Sequence, residues 1–85
     1  RQYSIINGAK SLKDAFGQII CVKAGGNDII KICRIAGDYG AEVSNMEFDD
    51  NAGLVLLYIK INNTIDAGNF MLQLQNETEA YILCE

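Results

Sequence analysis

The apolar positions of this chain change period along its length, and that change predicts the elements. Residues 18–24 are rich in Ile and Val and read as a strand, broken by Gly25-Gly26. Ile29, Ile32, Cys33, Ala36 and Tyr39 then recur at i, i+3, i+4, i+7 and i+10, which places one apolar stripe along a helix. Asn27 suits its N-cap, Asp28 in the first turn suits the positive end of the helix dipole, and Gly40 suits the position just past its end. Residues 43–48 alternate as a second strand. The turn cluster Asp49-Asp50-Asn51-Ala52-Gly53 follows, and residues 54–61 form a strongly apolar third strand, so the two strands make a hairpin. A second helix is predicted over about 64–75, capped by Asn62 or Asn63, with Ala67, Phe70, Met71 and Leu74 inward. Residues 79–84 read as the last strand.

The order βαββαβ predicts an α+β fold of ferredoxin-like type: a four-stranded antiparallel sheet with two helices on one face. The first and last strands are expected side by side, with the third beside the first and the second at an edge. Residues 1–17 stand apart as a lead-in segment or a linker from a neighbouring domain, and residues 18–85 form the domain proper. Within the lead-in, residues 3–6 suit a short strand and Asn7-Gly8 a turn. Ala9, Leu12, Ala15 and Phe16 fall at helical spacing, with Gly17 as a stop.

Alternation assigns the two sheet faces. Ile20, Val22, Val55, Leu57, Ile59, Ile61, Ala80 and Ile82 face the helices, whereas Lys23 and Lys60 point to the open side. That open side also receives Ile19, Cys21, Leu54, Leu56, Tyr58, Tyr81 and Leu83. A solvated sheet face carries polar residues at such positions, so this face is expected to be covered. The candidate covers are another copy, an adjacent domain or the lead-in helix, and a homodimer interface through Ile19, Leu54, Leu56, Tyr58, Tyr81 and Leu83 is the expected one.

Composition narrows the function. Of the 85 residues 49% are hydrophobic, which excludes a disordered chain. The net charge of -4 leaves no basic excess for a nucleic-acid backbone or an anionic membrane, so neither is expected as a partner. No apolar run approaches the ~20 residues of a membrane span. The sequence opens on Arg1 without signal-peptide architecture, and it reads as a domain of a longer protein, with an attached domain elsewhere. Three cysteines, Cys21, Cys33 and Cys84, without C-x-x-C spacing or any His, exclude the usual zinc ligand sets and a Ser–His or Cys–His catalytic pair. They suit thiols in a reducing cytoplasm. No cofactor is expected, and the chain does not read as an enzyme.

Several candidate sites resolve into ordinary structure. Asp49, Asp50 and Asn51 lack the alternate oxygens and distal Glu of an EF-hand loop, so no metal is assigned. Asp38, Glu42, Asp66, Glu77 and Glu79 read as scattered surface charge, and the two N-x-[ST] matches at Asn62 and Asn76 as incidental. One segment is different. Gly25, Gly26, Asn27 and Asp28 end a strand and open a helix, where free N–H groups accept a carboxylate or phosphate. Asp28 disfavours a multiply charged phosphate. A small zwitterion fits better, its carboxylate on the Gly26, Asn27 and Asp28 amides and its ammonium near Asp28 or Asn45.

The stretch from Ile29 to Met46 resembles the first helix and second strand of an ACT domain. Ile29, Gly40 and Val43 match that family's early helical aliphatic, the Gly eleven residues on, and the strand-opening Val. The resemblance covers roughly four-fifths of the chain and implies a regulatory module that binds an amino acid or similar effector. Such modules act through paired copies and are attached to a larger protein. In the ligand loop Ala24, Gly26 and Asn27 stand where the family often shows an acid, Pro and Gly. The alternative is therefore a ligand-free dimerisation module of the same fold.

Overall fold

The computed structural model describes residues 3–84. In chain order the elements are β1 (Ser4–Ile5), α1 (Ala9–Asp14), β2 (Ile19–Gly25), a 3-10 turn over Gly26–Asp28, α2 (Ile29–Asp38), β3 (Glu42–Asp49), β4 (Leu54–Lys60), α3 (Ala67–Glu77) and β5 (Tyr81–Cys84). Five strands form one antiparallel sheet in the order β1-β5-β2-β4-β3. The expected sheet of four strands with two helices is thus corrected to five strands and three helices, and the strand order gains β1 at the β5 edge. The extra pair comes from the N-terminal segment. Ser4 stands opposite Cys84 and Ile5 opposite Leu83, and Ile6 N–H donates to the Ile82 carbonyl at 2.8 Å.

The segment that read as a lead-in is built into the same core. Leu12 on α1 is fully buried, Ala15 nearly so, and α1 packs beside α3. All three helices share one apolar layer with the inward row of the sheet: Ile20, Val22 and Ala24 on β2, Leu57 and Ile59 on β4, and Ile82 on β5. Ile32, Ile35 and Ala36 supply the α2 stripe, and Phe70, Met71 and Leu74 that of α3. Tyr39 and Phe70 meet edge to face, ring centroids 5.5 Å apart at 66°. That geometry suits the quadrupoles of two aromatic rings.

Side-chain hydrogen bonds set the helix ends. The Asn62 carboxamide is occupied locally: it accepts the Thr64 N–H at 3.0 Å and the Thr64 hydroxyl. Asp66 caps α3 instead, accepting the Asn69 N–H at 3.2 Å and its side-chain amide at 2.8 Å. The helix consequently starts at Ala67 rather than near 64. Asn27 does not cap α2. It lies inside the 3-10 turn, and Asp28 holds the N-cap position without a side-chain capping bond. Gly40, with φ of 75°, reverses the chain into β3 at a backbone conformation that side chains disfavour.

Both Asn69 bonds hold the Asp66 carboxyl below the ordinary carboxylate range. A carboxyl whose folded value is depressed stabilises the fold fully above its unfolded value, and that contribution disappears as pH falls through the folded value. Asp66→Asn retains a capping oxygen but does not titrate. Thermal melts from about pH 6 down to about pH 2, spanning the carboxylate range, are expected to show a smaller loss of Tm in the variant than in the wild type.

Candidate functional site

Two surfaces emerge from this architecture, one at the ends of the strands and one across the sheet. The first is an open groove of about 740 Å³ between the β2–α2 turn and the α3–β5 turn. Gly25, Asn27, Asp28 and Lys31 line one wall; Asn76, Glu77, Thr78 and Glu79 line the other, with Leu54 at the end. The walls are tied together. An Asp28 carboxylate oxygen accepts the Glu79 N–H at 3.1 Å, Lys31 Nζ donates to the Glu77 carbonyl at 3.4 Å, and Arg34 Nη2 reaches Glu77 Oε1 at 2.6 Å. Arg34 also pairs with Asp38 at 3.5 Å, one turn along α2. The Glu77 carboxyl is held below its ordinary range, chiefly by the Gln73 side chain and then by Arg34. The Thr78 hydroxyl, buried, donates to the Leu74 carbonyl at 2.6 Å and so fixes the turn that precedes β5.

Of the expected ligand residues, Gly25, Asn27 and Asp28 line this groove, while Gly26 lies in the turn between them. Asn45 lies elsewhere. It stands opposite Tyr58, which pairs with Cys21, four residues before Gly25 on β2. Four residues of strand span about 13 Å, and β3 lies two strands away from β2, so Asn45 cannot share a small ligand with Asp28. Its carboxamide instead accepts the Met46 N–H at 2.9 Å. Glu77 and Glu79, which read as ordinary surface charge, line the groove, and so does Lys31, which the sequence singled out for no role. The only sequence signal for them is Lys31 and Arg34 at i, i+3 on the polar flank of α2; their shared partner Glu77 is 43 residues beyond Arg34. Chemically the groove offers both signs of charge side by side, with Asp28, Lys31 and Arg34 of one side bonded to groups of the other.

The second surface is the sheet face opposite the helices. Ile19 and Tyr81 are 51% and 65% exposed, and Leu54, Leu56, Tyr58 and Leu83 are half-buried among their neighbours. All six carry the parity expected of the open face, and Tyr3 and Ile5 extend it onto the β1 edge. Lys23 stands near the middle, paired with Leu56 on one side and Tyr81 on the other. Beside it a hollow of about 210 Å³ lies between Tyr3, Cys21, Lys23, Leu56, Tyr58 and Leu83. Burial pushes the Cys21 thiol up, against the smaller pull of Lys23, and burial first raises the Tyr58 phenol as well. The Tyr58 hydroxyl donates to Glu47 Oε2 at 3.4 Å. Cys84 lies on the other face, its thiol donating to Gln18 Oε1 at 3.2 Å, so strand parity holds Cys21 and Cys84 apart.

Among the described residues no group of three or more His, Cys, Asp or Glu could hold a metal ion, and no helix is long and apolar enough to cross a membrane. The fold and its surfaces define a small α+β domain with one sheet face covered by helices and the other left open. Comparison with known protein families finds no match, and comparisons with curated proteins and with solved structures find none either.

Proposed function

We propose that this domain is an assembly module that joins two copies of the chain through the open face of its sheet. Its core is read as a ferredoxin-like βαββαβ unit extended by an N-terminal strand and helix. One observation carries the proposal: the apolar row of Ile19, Leu56, Tyr58, Tyr81 and Leu83 continues across three paired strands with no helix over it. The 28 strand residues, each covering ~3.3 Å along the strand and ~4.8 Å across it, give a face of roughly 440 Å² in projection. Side-chain relief brings that toward the ~800 Å² each partner contributes to a standard interface. Lys23 stands within the row, while Lys60 on β4 and Glu42, Glu47 and Asp49 along β3 border it, so a second copy supplies complementary charge to both signs.

Light scattering on the eluting protein tests this. The wild type is expected at about twice 9.3 kDa and Leu56→Lys at the mass of one chain, because an added ammonium at the centre of the interface would be buried without a partner. Leu56 is half-buried on the open face, so the variant should keep the wild-type far-UV spectrum. A wild-type protein that remains a single chain at high micromolar concentration overturns the proposal.

A second reading has its own observation. The groove beside Asp28 presents ammonium and carboxylate groups on two walls, where the Asp28 to Glu79 bond is one of three cross-wall contacts, beside those of Lys31 and Arg34 to Glu77. That arrangement supports an effector-sensing module of ACT type, in which an amino acid or similar zwitterion displaces the bond and shifts the two turns. A thermal shift with one amino acid in a panel, lost in Asp28→Asn, would favour this reading over assembly alone.

A further inference from the structure

Apart from the open face, the fold leaves one long backbone edge. β3 is the outer strand of the sheet and runs for eight residues, whereas the opposite edge strand β1 has two. The two faces of β3 differ in chemistry. On the helix side stand Val43, Met46 and Phe48, paired with Ile59, Leu57 and Val55 of β4. The β4 partners are buried, but Phe48 is 71% exposed, and Val43 and Met46 are also exposed, so the helix layer stops short of the edge. Lys31 and Arg34 turn one flank of α2 toward α3. Ile30, 83% exposed, lies one turn before Arg34 on the solvent side of α2, away from the buried Ile32, Ile35 and Ala36. On the other face of β3 stand Glu42, Asn45, Glu47 and Asp49. Among the described residues the ion pairs formed by Arg34 involve none of these acids.

We propose that β3 is a docking edge for an extended segment of a partner protein that alternates apolar and basic side chains. Such a segment adds a sixth strand. Its apolar row covers Met46 and Phe48, and its Lys or Arg row faces Glu47 and Asp49 across the new ladder. The same acids select against a second copy of this chain at the edge, because two β3 strands would bring Glu42, Glu47 and Asp49 of each into one acidic strip. Edge docking engages the β3 backbone rather than the apolar row of the open face, and Glu47 and Asp49 are shared with the rim of that face.

The probe is an eight-residue peptide alternating valine and lysine, titrated into the isotope-labelled 85-residue chain and followed by amide chemical shifts. A valine–glutamate peptide of the same length is the control. The expected result is shifts concentrated on β3, an affinity roughly tenfold or more above that of the acidic peptide, and weakening as salt is raised. Glu47→Lys is expected to reverse the preference between the two peptides; the residue is exposed, so the fold is retained. Equal binding of the two peptides, or shifts confined to Leu56 and Tyr58 on the open face, would each overturn the proposal.

Discussion

Phe70→Ala is expected to leave a domain that is barely folded in water. The ring is fully buried at the start of α3 and packs against Tyr39, so truncation removes an aromatic contact and opens a cavity that the sheet behind it cannot collapse to fill. Phe-to-Ala changes of this kind cost about 3–5 kcal/mol, against total stabilities of about 5–15 kcal/mol for native proteins. A domain of this size lies toward the lower end of that range. Urea denaturation followed by far-UV circular dichroism measures the effect. With a slope of ~1 kcal/mol/M for a small domain, the midpoint should fall by several molar, or the pre-transition baseline should disappear. A midpoint within about 0.5 M of the wild type, on the same slope, would mean that the ring does not hold α2 and α3 together.

Leu12→Ala is the second large effect, and it addresses the standing of the N-terminal segment. Leu12 is fully buried and belongs to the same apolar cluster as Ile20 and Phe70. Its loss is expected to cost about 2–5 kcal/mol. A linker that merely rested on the domain would lose almost nothing. Lys13→Ala on the exposed side of α1 is the control, since surface changes usually fall within about 0.5 kcal/mol. Hydrogen exchange of the Ile6 amide, which donates to Ile82, gives a second measure: in the wild type it should be protected with the core rather than exchange as a frayed terminus.

The N-terminal segment marks where local pattern ceases to inform. A two-residue strand has no measurable period, and a six-residue helix shows only one full turn of apolar spacing. Leu12 reads the same whether it faces a core or a neighbouring domain. By contrast, the ten-residue α2 stripe, the β3–β4 hairpin and the inward rows of β2 and β4 were legible because each repeats its period several times. Asn27 and Asp66 show the finer limit. Asn, Asp and Thr are all competent caps, and the choice depends on which side chain is already engaged: Asn62 by Thr64, Asp28 by Glu79. The groove is a still longer-range matter, since Asp28 and Glu79 are 51 residues apart. Sequence alone places Gly25, Asn27 and Asp28 at a strand-to-helix turn and names the apolar open face, because backbone periodicity and turn chemistry are local. The tertiary structure decided that Asn45 is far from that turn, that Lys31 and Arg34 meet Glu77, and that residues 3–17 complete the sheet and core. Those facts depend on which strands pair and which helix flanks meet, and such contacts form between residues whose separation along the chain carries no information about their distance in space.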